Sequence, residues 1–372
     1  MTSPFGPLFD DLVKLLAGQG PDAWFESATQ LALSIARGSD GDPNPEPAER
    51  QRLEALAPLV ARRIDALLSV AGPSATEVVN RSGLTLAALA QWRPLLAPAL
   101  AAGQLAVSDD DAADPLTQMM TALGPLLLGL QLGSVAGHFS ERAWSLAVLP
   151  LPRIDDRRRI AVNNVAAFAS SWSLGRDEVA AFALAHEQVA ALVLTRPGTG
   201  DALRALLLDS VREAAAHQGD IIERLQGMLG EGTSDMSEVL AHPESLLEGL
   251  EGLTDGPAAD AINAATAALL ALFDAVALEV ATALMGPQPA LAEAYRRHRL
   301  LDARGEDAAA ALFGVATHGP HHERAQSFVA TVSAAHGLEA FDAFLRVDGL
   351  PSPAELDDPA AWYARVSTSP LA

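Results

Sequence analysis

One segment carries residue types at a spacing that points to chemistry, Asp177–Leu194, which reads DEVAAFALAHEQVAALVL. Asp177 and Glu178 sit where the positive end of a helix dipole favours acids. From Val179 onward every residue is apolar except His186, Glu187 and Gln188. A helix apolar all round is expected to be buried, and burying a histidine and a glutamate without partners is costly. These three must therefore meet a metal, bond to neighbouring elements or face a cavity. His186-Glu187 is the first half of the pattern H-E-x-x-H. There, two histidines one turn apart bind zinc from one helix face, and the glutamate activates a metal-bound water. The second histidine position is Ala190, which has no donor atom.

The pair admits three readings. His186 and Glu187 are vestigial, satisfied by hydrogen bonds across an old cleft. Or a metal site is rebuilt, with Asp274, Glu279 or a remote histidine replacing the missing ligand. Or the pair does acid–base chemistry without a metal. Elsewhere, His318-Gly-Pro-His321-His322-Glu323 is the densest histidine cluster, but neighbouring histidines on one element point in different directions, and the Gly-Pro turn predicts a helix start. His138 is expected to be packed or capping, and His217, His242, His298 and His336 to be solvated. Arg296, Arg297 and Arg299 are expected at a solvated helix end, near the negative dipole. No glycine-rich nucleotide fingerprint and no Gly-x-Ser-x-Gly elbow occurs. Ser170-Ser171 and Asn163-Asn164 read as turn and strand-end residues.

The positioning elements are helical nearly throughout, with Ala and Leu dominant. Gly38–Glu49, with three prolines, predicts a solvated loop, and Arg50–Val70 a helix with Leu53, Leu56, Leu59, Val60 and Ile64 on one stripe. Thr85–Ala102 predicts a helix interrupted at Pro94 and Pro98. Ser108–Pro115 predicts an acidic turn. Leu116–Trp144 predicts a helix whose Gly124, Gly129, Gly133 and Gly137 imply close backbone approach, since glycine costs a helix about 1 kcal/mol each. An extended Leu149–Arg153 and a strand over Arg159–Ala167 follow. Gly227–Pro257 reads as loops around a short helix, and residues 261–300 and 322–345 as helices.

The chain has 372 residues, 47 acidic against 25 basic, for a formal charge of −22. That charge repels phosphate backbones and argues against nucleic-acid or anionic-membrane partners. With no cysteine there is no disulfide, thiolate site or cysteine nucleophile. Leu126–Gly137 is too short to span a bilayer, and Ala261–Gly286 carries Asn263, Asp274 and Glu279. Both read as buried helices. The first residues lack a basic segment ahead of an uninterrupted apolar run, so a cytoplasmic location is expected.

The stretch around the pair resembles the zincin-like metallopeptidase family, whose members are labelled hydrolases or coenzyme F420 biosynthesis-associated proteins. The resemblance rests on Gly133-Ser-Val-Ala-Gly137-His-Phe-Ser-Glu-Arg142, Leu149-Pro-Leu-Pro-Arg153, Asn164-Val-Ala-Ala-Phe168 and Leu174-Gly-Arg-Asp177, leading into His186-Glu187. Pro4-Phe-Gly, the Gln91–Pro98 segment and Leu350–Trp362 extend it over almost the whole chain. It implies a mainly α fold: a single domain of 1–115 amino-terminal helices, a zincin-like core over 116–300 and a helical 301–372, with at most a small β element. It also exposes departures. The second ligand falls on Ala190, the aspartate before L-P-L-P falls on Val148, and the further acidic ligand must be sought at Asp274 or Glu279. A catalytic zinc needs three protein ligands and an open position. The resemblance thus implies a degenerate zincin without zinc or other cofactor, binding a protein or peptide in the former cleft. The alternative is an active metal-dependent hydrolase, with His186 a ligand, Glu187 the base and zinc held by a rebuilt site.

Overall fold

Alanine- and leucine-rich segments at helical spacing form helices wherever a neighbour is present to cover their apolar faces. The computed structural model describes residues 23–39, 41–68, 75–105, 115–216, 256–301, 304–346 and 348–368. Pro4-Phe-Gly, His217, His242, all of Ser108–Pro115 but its last residue and nearly all of the Gly227–Pro257 segment lie outside them. The elements are α1 (Ala23–Arg37), α2 (Pro47–Leu68), β1 (Thr76–Val79), α3 (Arg81–Leu105), α4 (Pro115–Arg142), β2 (Arg158–Ala161), α5 (Val162–Ser171), α6 (Arg176–Leu194), α7 (Pro197–Ala216), α8 (Pro257–Met285), α9 (Pro289–Leu301), α10 (Arg304–Leu312), α11 (Pro320–His336) and α12 (Pro359–Thr368). The fold is mainly α, with one two-stranded parallel sheet among the described residues.

At the centre lies α6, packed by α8, α2 and α5. Every residue from Val179 to Leu194 is buried, as an all-apolar helix requires. Its main partner α8 is long and apolar enough to cross a membrane, yet α6, α7 and α11 cover much of it within the fold. The strands β1 and β2 pair in the register Thr76↔Arg158, Glu77↔Arg159, Val78↔Ile160 and Val79↔Ala161. Parallel pairing needs a long crossover, supplied by the chain from α3 through α4.

The structure corrects two expectations. The strand predicted over Arg159–Ala167 ends at Ala161, and the remainder is α5. Asn164 draws this segment into a helix. Its amide donates to the carbonyls of Ser140 and Ala143, at 3.0 and 2.8 Å, which the end of α4 leaves unpaired. Second, α3 runs through Pro94 and Pro98 without a break. Burial of Leu89, Trp92 and Leu96 on one stripe offsets the missing donors.

The glycines of α4 mark close helix packing. A Cβ on Gly129 would lie 2.6 Å from the Trp24 carbonyl oxygen, and one on Gly133 would lie 2.5 Å from that of Ala28. Gly137 faces the Ile35 side chain and the Ala32 carbonyl oxygen, so α1 lies in a groove only glycine leaves open. Gly133→Ala is expected to cost about 1–3 kcal/mol, because backbone cannot yield as a side-chain tip does. Urea unfolding monitored by circular dichroism checks it; an unchanged midpoint would contradict the packing.

Candidate functional site

Glu187 on α6 is completely buried, and its charge is met by Arg153, itself 3 % exposed at the side chain. The guanidinium donates from Nη1 to Oε1 and from Nη2 to Oε2, each at 2.8 Å. Oε1 also accepts the backbone N–H of Arg159 at 3.2 Å. The pair is a planar two-bond fork, the strongest form of such contact. Arg153 reaches it because Leu149–Pro152 is buried as an extended run into the core and the Arg153 N–H bonds the Leu194 carbonyl at 3.5 Å. Gln188 donates to the Ala57 carbonyl of α2 at 3.4 Å.

One residue back, His186 turns toward α8 and α9. Its Nε2 lies 3.0 Å from Oδ1 of Asp274 and 3.5 Å from the Tyr295 hydroxyl. The other carboxylate oxygen of Asp274 accepts from Arg299 at 2.9 Å, and Arg299 also donates to the Thr317 carbonyl at 2.7 Å. Burial alone would lift the Asp274 carboxyl, but Arg299 and then His186 outweigh it and hold it below the usual carboxylate range. Asp274 is therefore an ionised acceptor, so the Nε2 nitrogen facing it carries a proton. Burial, reinforced by Asp274, pushes Tyr295 well above an ordinary phenol. Phe182 and Phe273 close the ring of His186 on two sides.

Beside this chain of contacts Trp144, Val148, Tyr295, His298, Arg299 and Glu306 close around a hollow with no room for a water molecule. Burial raises the Glu306 carboxyl to about 7. His322 lies across Asp274 and Arg299, and burial lowers it to about 4.

Of the residues singled out from the sequence, His186 and Asp274 come together. Glu187 points the other way, into Arg153. Glu279 lies away from both and pairs with Arg63 on α2 at 2.8 Å. The histidine cluster divides among three partners: His318 meets Asp307, His321 meets Asp260 and His322 meets Gln326. His138 is half exposed and faces Glu141. His298, expected to be solvated, packs instead against Trp144 and Phe168. His336 is exposed, as expected, and stacks on Tyr363. Arg296 and Arg297 pair with Glu293 on the surface, but Arg299 turns inward, correcting its reading as part of a solvated cluster. Arg153, Tyr295 and Arg299 are the site residues that sequence reasoning missed.

Zinc needs three donors around one point with a fourth position open. Among the described residues no three histidine, aspartate or glutamate side chains converge in this way. His186 and Asp274 offer two donors, Ala190 offers none, and Arg153 occupies both oxygens of Glu187. A cation between His186 and Asp274 would also sit against the Arg299 guanidinium. The described residues do not fit a catalytic zinc.

A mainly helical fold built around a buried His-Glu helix, with one small parallel sheet beside it, defines the class of protein. The chain belongs to the zincin-like metallopeptidase family, whose model matches residues 24–363. Among solved structures it is similar to one from Chloroflexus aurantiacus described as a candidate hydrolase with a novel fold. The TM-score is 0.55 at 16% identity, over 93% of this chain and 99% of that one. A comparison with curated proteins gives no match.

Proposed function

We propose that this chain is a zincin-like metallopeptidase homologue that has lost zinc and catalysis, and that it works by binding a protein or peptide partner. The observation that carries this reading is the state of Glu187. The residue placed to activate a metal-bound water is completely buried in a two-bond pair with Arg153. A general base must reach the proton it abstracts, and this one faces a guanidinium. Ala190 at the ligand position and Arg299 on Asp274 support the same conclusion. A cytoplasmic location accords with a cysteine-free chain whose longest apolar helix lies within its own core.

The competing reading is a metal-dependent hydrolase with a rearranged site using His186 and Glu187. One observation favours it: His186 Nε2 and Asp274 Oδ1 already stand 3.0 Å apart. It requires both Arg153 and Arg299 to withdraw. Metal analysis of protein purified without chelator, repeated after zinc loading, separates the two. Zinc well below one equivalent, with no hydrolysis of a peptide library, is expected. Stoichiometric zinc that disappears in His186→Ala would establish the hydrolase reading instead.

A further inference from the structure

Arg158 opens β2 and is 3 % exposed, yet its Nε and Nη1 have no hydrogen-bond partner. A guanidinium does not shed its proton in proteins, so the chain buries a cation two of whose donor nitrogens, Nε and Nη1, are unmet. Such groups are rare because an unpaired buried charge is among the costliest features a fold can carry. Its neighbours do not satisfy it. Glu187 is near enough to attract it, but the bonds to that carboxylate come from Arg153 and the Arg159 backbone. Asp156 and Asp65 also attract it without accepting from Nε or Nη1. Arg153 and Arg158 together thus bring two buried positive charges to the single negative charge of Glu187.

A second unmet group stands alongside. Thr76 is the in-register partner of Arg158 on β1, and its Oγ1 is buried with no hydrogen-bond partner. Partners in register project from the same face of a sheet. The start of the two-stranded sheet therefore projects a guanidinium and a hydroxyl from one face, both able to donate and neither bonded at those atoms.

We propose that this end of the sheet is a binding site for an oxyanion, a carboxylate or phosphate group that accepts from the Arg158 guanidinium and the Thr76 hydroxyl. Both groups recognise the same feature, oxygen carrying negative charge. The site lies outside the His186–Asp274 position and stands whether or not the protein binds zinc.

The test uses the full chain, in thermal unfolding and calorimetric titration with sodium acetate or sodium phosphate against sodium chloride at matched ionic strength. A saturable rise in melting temperature with acetate or phosphate is expected, and the stronger of the two identifies a carboxylate or a phosphoryl ligand. Arg158→Met should abolish the rise, and Thr76→Val should weaken affinity several-fold while leaving the fold intact. No saturable response in the wild type overturns the proposal, as does an equal response in Arg158→Met. Should Arg158→Met fail to fold, an unchanged affinity in Thr76→Val overturns it equally well.

Discussion

Glu187→Gln is expected to lower the stability of the fold by about 3–5 kcal/mol, the range for removing one member of a buried ion pair. The substitution keeps shape, removes the charge and turns one of the two acceptors into a donor. It leaves Arg153 buried with one of its two 2.8 Å bonds lost, and Arg158 beside it loses its strongest attraction, the Glu187 charge. Two guanidiniums would then lie near each other, with only the weaker attraction of Asp156 and Asp65 left on Arg158. Arg153→Met is the informative companion. There Glu187 is left buried, but Arg158 is near enough to turn toward it, so the loss should be the smaller of the two. This ordering runs against intuition, because Arg153→Met removes a larger side chain and more hydrogen bonds. Urea unfolding gives both values, read as midpoint shifts at constant slope. A Glu187→Gln protein that unfolds at the wild-type urea concentration would show that the carboxylate is not structural, and would reopen its role as a base.

The burial of α6 was already legible in its residues. A helix apolar on every face, interrupted only by His186, Glu187 and Gln188, had to supply partners for those three, and each has one. What could not be read was the identity of the partners, because they come from segments distant along the chain. Arg153 stands at the end of Leu-Pro-Leu-Pro, which looks like the close of a helix. The available signal was a lone arginine following an apolar run, since such a run is buried and carries its last residue inward with it. Arg299 was hidden by Arg296 and Arg297. Three arginines in four positions suggest a solvated helix end, yet helix geometry puts Arg299 on the stripe of Leu291 and Tyr295, eight and four residues back, which are both buried.

The glycine-rich α4 was legible for a related reason. Glycines at 129, 133 and 137, four apart, cost a helix too much to persist without a neighbour in the groove, and the neighbour is α1. The boundary between β2 and α5 was not legible. RIAVNNVAA has the branched residues of a strand, and only the carbonyls at the end of α4, brought near by folding, give Asn164 the acceptors that favour a helix there. Local propensity yields to tertiary hydrogen bonding at such junctions. Asp274 and Glu279 show the same limit. Both lie on α8, five residues apart, and the choice between them rests on which of α6 and α2 each one faces.

Glu306→Gln is expected to stabilise the protein by about 3 kcal/mol at pH 8 and by little at pH 4.5. Burial, opposed by Arg299 and aided by Asp307 and Asp274, raises the folded-state carboxyl from 4.5 to about 7. A group whose folded pKa lies above its unfolded value holds its proton more tightly in the native state. Its contribution is full below about pH 4.5 and is lost as pH rises through 7, at about 1.4 kcal/mol for each pH unit between those two values. His322 works in the opposite sense. Burial, reinforced by Arg299, lowers it from 6.5 to about 4, so its contribution is full above pH 6.5 and is lost as pH falls toward 4. Between about pH 4.5 and 6.5 the two slopes oppose each other, and the contribution of this pair to wild-type stability should stay nearly flat. Each substitution uncovers the other group. Glu306→Gln should show stability rising with pH across that window, and His322→Gln should show it falling. Urea unfolding at intervals from about pH 4.5 to 8 measures all three proteins. An equal gain for Glu306→Gln at both ends would mean that its carboxyl titrates normally, and that the hollow beside Arg299 is open to water rather than closed over a neutral acid.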